Sequence, residues 1–139
     1  HAQKVQVESF REVHRYSHVI HLVSKVTGIV GSDASPFALL ADTFPAGTLS
    51  GAPKVRAMQI IQAQEPTPRE WYGGAIGLIE FSGNVNMAIM IRSFLSREQK
   101  LHYQAGAGIV VGSQPESERL EIRHKLRALR NAILLAEKL

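Results

Sequence analysis

The sequence predicts an α+β domain in which helices pack on a mainly antiparallel sheet. Three strand-like segments, over residues 73–81, 85–95 and 101–111, are separated only by short turn-forming stretches. Such spacing is typical of an antiparallel meander. The chain then ends in a segment whose apolar residues recur every three or four positions, which predicts an amphipathic helix. With 139 residues, 45% of them hydrophobic, the chain is long enough to form one domain with its own core.

The composition excludes several functional classes. The sequence has no cysteine, which removes disulfides, thiolate metal sites and cysteine nucleophiles and agrees with a cytoplasmic location. No run of 18 apolar residues occurs, so we predict no membrane span, and the N-terminus does not have the pattern of a signal peptide. The first residue is not Met, and we expect a piece of a longer chain. The net charge of +4 indicates acidic partners, from small carboxylates to nucleic acid.

The N-terminal part of the chain is predicted to be largely extended. Residues 5–16 mix polar and apolar side chains and indicate either an extended lead-in or a short helix. Residues 17–30 are rich in valine and isoleucine and predict a strand, with a turn at Gly28. His21 shares a strand face with two valines, so it is either a satisfied core histidine or a functional residue. The three histidines of this region lack a recognised metal-ligand spacing, which argues against a zinc site.

Two short helices are predicted next, joined by a turn at residues 47–54. The first helix covers residues 33–44, with Pro36 in its first turn, and the second covers residues 53–64. The glycines of the turn permit conformations that other residues avoid, and the unpaired amides at a helix start suit an anion. The turn is therefore either an anion-binding corner or a solvated helix start. The side chains predicted to face inward from the second helix are Val55, Met58 and either Ile60 or Ile61.

The three predicted strands form a meander, with a turn at residues 82–84 between the first two. The middle strand is apolar on both faces over residues 87–91, which predicts a sheet covered on both sides. Arg92 ends that apolar run. Because arginine is rarely buried without a partner, it either pairs with an acid or awaits a ligand anion. Gly106 and Gly108 do not have the spacing of a dinucleotide fingerprint and indicate a bulge or a close backbone approach, with a ligand as one candidate.

The last segment predicts a helix that opens with a capping box, with Ser113 as N-cap and Pro115 in the first turn. Its apolar stripe consists of Ile122, Leu126, Leu129, Ile133 and Ala136. Glu118, Glu121 and Lys125 lie on a narrow stripe beside it. The two acids either complement the helix dipole or form a site for a hard cation such as Mg²⁺. The four arginines further round predict a solvated face, and without interleaved aromatic residues they argue against nucleic-acid binding.

Several motifs occur in order along the chain. They are His21-Leu22-Val23-Ser24, Pro45-Ala46-Gly47-Thr48-Leu49-Ser50-Gly51-Ala52-Pro53-Lys54, Tyr72-Gly73-Gly74-Ala75-Ile76-Gly77, Ile91-Arg92, Gln104-Ala105-Gly106-Ala107-Gly108-Ile109-Val110 and the helix with Glu118, Glu121 and Lys125. Together they resemble the chorismate-binding enzymes. The resemblance covers nearly the whole chain and is to the C-terminal portion of the family's catalytic domain. It implies that residues 1–139 form part of a layered α/β fold of the anthranilate synthase type, with a mainly antiparallel sheet.

The resemblance implies a Mg²⁺ site at the start of the last helix. Glu118 and Glu121 match the positions where the metal ion meets the ring carboxylate of chorismate, and Lys125 matches a residue that assists that carboxylate. The backbone amides that also assist it are those of Gly106, Ala107 and Gly108. Chorismate is a dianion, and a metal ion, an arginine and backbone amides suit its charge.

Four further residues match substrate or catalytic positions of the family. Tyr72 and Arg92 match the positions that bind the enolpyruvyl carboxylate. His21 matches the acid/base residue near the site of ammonia addition and pyruvate elimination. Thr48 matches a hydroxyl that contacts the substrate. The resemblance therefore implies that the anion expected at the turn and at Arg92 is chorismate.

Within the family, Gly47-Thr48-Leu49-Ser50 and the glycine motif that ends at Gly108 are most similar to the anthranilate synthases. The expected parent is a Mg²⁺-dependent lyase of tryptophan biosynthesis, component I, which converts chorismate and ammonia to anthranilate and pyruvate. A glutamine amidotransferase subunit is the expected source of ammonia. The alternatives are an aminodeoxychorismate synthase of the folate pathway and a non-catalytic module that keeps the anion pocket. Because the family's upstream half supplies further acids to the metal, this chain is expected to be inactive alone, and its exposed sheet edge favours self-association.

Overall fold

The computed structural model describes residues 2–16 and 20–138, in two compact units, His1–Leu39 and Leu40–Leu139. The first three residues of the strand predicted over residues 17–30 lie outside the described residues. Antiparallel strand pairs and helices make up the described chain, which confirms the predicted α+β class. No helix in the described ranges is long and apolar enough to cross a membrane.

The first unit contains one antiparallel hairpin. Strand β1, Ala2–Arg15, pairs with strand β2, Ile20–Val30, so the extended alternative for the lead-in is confirmed. The turn predicted at Gly28 is wrong, because this glycine lies inside β2. The register shifts between Gln3 and Gln6, so that two residues of β1 oppose the glycine alone, and the glycine marks a bulge rather than a turn.

Three helices follow the hairpin: α1 at Pro36–Thr43, α2 at Gly47–Ser50 and α3 at Lys54–Gln64. Both predicted helices are confirmed, and Pro36 opens the first of them. The intervening segment is not the open turn that the glycines suggest, because four of its residues form α2. Gly51 then reverses the chain with a φ of +92°, a conformation that glycine adopts without the steric penalty of a β-carbon.

The predicted inward face of α3 is wrong for two of its residues. Val55 and Met58 are 72% and 43% exposed, and Ile60 is exposed as well, whereas Ile61 is half-buried. Val55, Met58 and Ile61 border an open groove of about 800 Å³. The apolar face of the helix is present, and the described residues leave it open to this groove.

The next hairpin pairs β3, Ala75–Ile79, with β4, Val85–Ile89. The predicted turn between them is confirmed, and Gly83 occupies it with a φ of +91°. A β-carbon placed on Gly77 would lie 2.0 Å from the carbonyl oxygen of Asn86, so the two strands approach each other too closely for a side chain there. The predicted cover on both faces is wrong, because every residue of β3 is exposed.

The predicted three-stranded meander is also wrong. Strand β5, Leu95–Arg97, pairs with β6, Lys100–His102, in a separate sheet. Strand β4 ends before Arg92, whose φ of +52° is incompatible with a strand. Beyond β6, the segment with Gly106 and Gly108 is not in a strand, so the third predicted strand is reduced to three residues.

The last helix, α4, spans Pro115–Ala136 and begins with its proline as predicted. The capping box is wrong: Gln114 is the N-cap, and the Ser113 hydroxyl instead accepts a hydrogen bond from the amide of Val110 at 3.0 Å. Of the predicted apolar stripe, Leu129 is buried, Ile122, Leu126 and Ile133 are half-buried and Ala136 is exposed. The four residues that form the predicted solvated face are exposed, namely Arg119, Arg123, Arg127 and Arg130.

Very little of the described chain is buried. The four buried residues among those described are Ser50, Tyr72, Gly73 and Leu129. All four belong to the second unit, where the cavity described next is also found.

Candidate functional site

One small cavity of about 90 Å³ in the second unit brings together residues from five separate stretches of the chain. They come from α2, from the turn before β3, from the segment after β4, from the glycine-rich segment after β6 and from α4. Seven of the sequence-predicted site residues line this cavity: Thr48, Tyr72, Arg92, Gly106, Ala107, Gly108 and Lys125. Residues up to 77 positions apart in sequence therefore meet at one place.

Lys125 joins α4 to the glycine-rich segment. Its ammonium donates a hydrogen bond to the carbonyl oxygen of Gly106 at 2.8 Å and forms an ion pair with the Glu121 carboxylate at 2.6 Å. An ammonium group has three N–H donors, and these two contacts direct it toward the cavity wall. The side chain is 34% exposed, so the charge lies at the cavity rim rather than in a closed interior.

Glu118 and Glu121 project from the same face of α4, because residues three apart on a helix are neighbours. Glu118 is half-buried, whereas Glu121 is 52% exposed and is held by Lys125. Within residues 2–16 and 20–138, no group of three or more metal-ligating side chains is close enough to hold a metal ion. The role of Glu118 and Glu121 as metal ligands stays a prediction.

Tyr72 is the most buried side chain of the cavity, with 8% of its surface exposed. Its ring packs edge-on against Trp71, and a β-carbon on Gly106 would lie 3.6 Å from its hydroxyl oxygen. The following residue, Gly73, donates its amide hydrogen to the carbonyl of Met90 at 2.9 Å. This bond ties the tyrosine segment to the end of β4.

Arg92 follows β4 in the left-handed region of backbone space, with a φ of +52°. A non-glycine residue there costs of order 1–3 kcal/mol and persists only where the surroundings impose it. The amide of Ile91 donates back to the carbonyl of Ile89 at 2.9 Å, which produces the sharp reversal. Arg92 lies in the cavity wall, and its side chain is exposed rather than buried. Its role in binding an anion stays a prediction.

Thr48 and Leu49 are the residues of α2 that line the cavity. The amides of Leu49, Ser50 and Gly51 donate to the carbonyls of Ala46 and Gly47 within the same segment. These three amides precede the predicted helix start at residue 53, so the anion-binding role of the amides in the first turn of α3 stays a prediction. The corner takes part in the cavity through Thr48 and Leu49.

His21 belongs to the first unit and lies on β2 opposite His14. It is half-buried, and its ring centroid is 6.1 Å from that of Tyr16. A place beside one aromatic ring on a hairpin fits either alternative that the sequence leaves open. Its role as an acid/base residue stays a prediction.

Arg69 is a cavity residue that the sequence analysis does not identify. It donates from Nε to Oε2 of Glu65 at 2.8 Å, from Nη2 to Oε1 of Glu65 at 2.5 Å and from Nη1 to the carbonyl of Leu49 at 2.7 Å. These bonds hold the pKa of Glu65 below its ordinary value and raise the pKa of Arg69. The i, i+4 spacing of this pair is visible in the sequence, but the prolines between its members suggest a break rather than a contact.

Comparison with known proteins identifies the relatives of this chain. Residues 1–131 match the family described as chorismate binding enzyme. The chain is 49% identical over 135 residues to anthranilate synthase component 1 of Mycobacterium tuberculosis, covering 97% of this chain and 26% of that protein. It is 50% identical over 133 residues to the Aquifex aeolicus protein of the same name, covering 96% and 27%. The chain thus spans about a quarter of the length of these relatives.

Two solved structures share the fold. The crystal structure of anthranilate synthase component I from Streptococcus pneumoniae superposes with a TM-score of 0.83 and 41% identity, covering 87% of this chain and 28% of that one. A Bacillus anthracis protein assigned as a 2,3-dihydroxybenzoate-specific isochorismate synthase superposes with a TM-score of 0.87 and 27% identity, covering 95% and 36%. The predicted fold class and the predicted family resemblance are both confirmed.

Proposed function

The chain belongs to the chorismate-binding enzyme family, and from this premise we propose that it is the C-terminal portion of the catalytic domain of an anthranilate synthase component I. The whole protein converts chorismate and ammonia to anthranilate and pyruvate in tryptophan biosynthesis. The proposal is supported by relatives of that name with 49–50% identity over nearly the whole chain. Because the chain spans about a quarter of their length, we assign the activity to the longer parent and expect residues 1–139 alone to be inactive.

The observation that carries the proposal is the cavity where residues 48, 72, 92, 106–108 and 125 meet. Chorismate has two carboxylates, and the cavity wall has three cationic residues, Arg69, Arg92 and Lys125. Arg92 and Tyr72 bind the enolpyruvyl carboxylate, and Lys125 binds the ring carboxylate with the help of nearby backbone amides. The planar guanidinium suits a carboxylate in bidentate geometry, whereas the ammonium acts as a point charge.

Glu118 and Glu121 hold the Mg²⁺ ion in this proposal. Magnesium typically binds through one or two protein carboxylates, substrate oxygens and water, and two carboxylates on one helix face fit that requirement. When bound, the ion neutralises charge on the ring carboxylate of the substrate. Lys125 lines the cavity and is paired with Glu121 at 2.6 Å, so it links the Glu121 carboxylate to the cavity wall.

His21 and Thr48 are the proposed catalytic residues. An imidazole exchanges protons near neutral pH, which suits His21 to proton transfer during ammonia addition and pyruvate elimination. Thr48 offers a hydroxyl to the substrate. A glutamine amidotransferase subunit supplies the ammonia, and the cytoplasmic location expected from the cysteine-free composition is part of the same proposal. Exposed strand edges would favour self-association of the separated 139-residue chain.

The test is product formation by the full-length parent with chorismate, ammonium and MgCl₂, followed by anthranilate fluorescence and by a pyruvate assay. We expect both products in equal amounts. An amino product without pyruvate would identify an aminodeoxychorismate synthase, and substrate binding without any product would identify a non-catalytic module. Either result would contradict the proposal.

The metal assignment is tested in the same assay with Glu121→Gln. This variant should lose Mg²⁺-dependent turnover while its thermal unfolding stays close to that of the wild type, because the Glu121 side chain is exposed. The matched control is Glu116→Gln, which removes an exposed carboxylate from the same helix. Wild-type activity in Glu121→Gln would refute the assignment.

A further inference from the structure

We propose that Arg69 is a positioning residue that holds Thr48 and Tyr72 at the wall of the cavity. This inference rests on the proposed function, since it concerns how the chorismate site is built. The guanidinium group contacts three elements that are separate in sequence: the end of α3, the short helix α2 and the turn before β3. It also lines the cavity itself.

The first contact fixes the orientation of the guanidinium plane. Two parallel hydrogen bonds join its Nε and Nη2 atoms to the two carboxylate oxygens of Glu65, at 2.8 and 2.5 Å. Such a paired arrangement sets direction as well as distance, because both groups are planar. The side chains of Arg69 and Glu65 are only 25% and 32% exposed, so solvent weakens the pair less than it would at an open surface.

The second contact anchors α2. The remaining edge of the guanidinium donates from Nη1 to the carbonyl oxygen of Leu49 at 2.7 Å. Leu49 is the neighbour of Thr48 in a helix of only four residues, which has few hydrogen bonds of its own to fix its position. The arginine therefore supplies a fixed point for the segment that carries the Thr48 hydroxyl.

The third contact is with Tyr72. The guanidinium carbon lies 5.8 Å from the centroid of the tyrosine ring, within the range of a cation–π interaction. The backbone carbonyl of Arg69 also accepts the amide hydrogen of Tyr72 at 2.8 Å. Arg69 thus contacts both the ring and the main chain of Tyr72.

A positive charge at position 69 is not enough to hold these neighbours, because the contacts depend on the planar shape of the guanidinium group. Three of the five N–H groups of Arg69 point to Glu65 and Leu49, and these bonds indicate that the side chain orients its neighbours. Lysine keeps the charge but lacks the planar fork. Arg69→Lys therefore separates positioning from electrostatics.

The experiment uses the full-length parent, first shown to make anthranilate. We expect Arg69→Lys to lower kcat/KM for chorismate about 10- to 100-fold, the range expected when a reacting group is misplaced by about 1 Å. The matched control is Arg119→Lys, which alters an exposed arginine that also pairs with a glutamate through Nε and Nη2. If the wild type forms anthranilate and Arg69→Lys leaves kcat/KM unchanged, the inference is overturned and the proposed function stands.

A double-mutant cycle with Thr48→Ala distinguishes positioning from a general loss of stability. If Arg69 acts through Thr48, Arg69→Lys should lose most of its effect on kcat/KM once the hydroxyl is absent. Losses that multiply independently would refute the inference. Should Arg69→Lys fail to fold, Glu65→Gln in the same cycle provides the second test, because it weakens the paired hydrogen bonds and leaves the arginine in place.

Discussion

Lys125→Met is the substitution that tests the cavity most directly. It removes the ammonium that bonds to the Gly106 carbonyl at 2.8 Å and to Glu121 at 2.6 Å, while methionine and lysine have similar helix propensity. A buried hydrogen bond to a charged group contributes about 1.5–3 kcal/mol, and an exposed ion pair about 0–1 kcal/mol. Because Lys125 is 34% and Glu121 52% exposed, we expect a loss of only about 1–2 kcal/mol in the free energy of unfolding.

The effect on substrate binding should be larger than the effect on stability. If the ammonium binds the ring carboxylate of chorismate, its loss should raise KM about 10- to 100-fold, the equivalent of about 1.5–3 kcal/mol. The assay measures initial rates of anthranilate fluorescence in the full-length parent across a range of chorismate concentrations, with ammonium and MgCl₂ saturating. Urea unfolding of the same protein reports the change in stability separately.

The matched control is Arg127→Met, which makes the same change in net charge on the exposed part of α4. It should leave KM within about twofold of the wild type, because long-range effects between exposed charges are screened by salt. A wild-type KM in Lys125→Met would refute the assignment of this residue to the carboxylate. Equal rises in both variants would show that net charge, and not the cavity contact, governs affinity.

Two further predictions concern the scaffold. Gly77→Ala should destabilise the parent by about 3 kcal/mol or more in urea unfolding, because its β-carbon would lie 2.0 Å from the Asn86 carbonyl oxygen. Gly112→Ala, with open space around the new methyl group, is its control, and equal stability of the two variants would contradict the close approach. Arg69 holds the pKa of Glu65 below its usual 4.5, so this carboxylate stabilises the fold above that pH and stops doing so as the pH falls through the lowered pKa. The stability difference between wild type and Glu65→Gln should therefore shrink below about pH 4.5, and a constant difference down to about pH 3 would argue against the ion pair.

Elements whose signals are local in the sequence are predicted well. The helix α4 begins at Pro115 because proline at the first position, acids in the first turn and a long apolar repeat all act within a few residues. The Ser113 cap fails because the same hydroxyl closes a turn with Val110 instead. The predicted meander is wrong because residues after Ile89 still favour a strand, whereas Arg92 has a left-handed backbone that a strand does not accommodate. No local residue pattern predicts that conformation.

The residues of the cavity are also predicted well only where their signals are local in the sequence. Those that lie in motifs, such as Thr48, Tyr72 and Arg92, can be predicted from resemblance. Arg69 cannot be found in this way, because its contact with Leu49 joins residues 20 positions apart. A hydrogen bond of that kind depends on how α2 and the end of α3 pack, and residue spacing along the chain does not encode it.

The predictions that fail most clearly concern burial. Val55 and Met58 and the apolar β4 strand have the patterns of covered faces, yet the first two are exposed and β4 is at most half-buried. The first unit has the same mismatch, since residues such as Phe10 and Leu22 are 69% and 68% exposed on a two-stranded hairpin. Isolated hairpins of this kind are marginally stable in water. An apolar pattern that the described residues leave uncovered is expected of a segment that packs against other parts of a longer domain, such as that of the proposed parent.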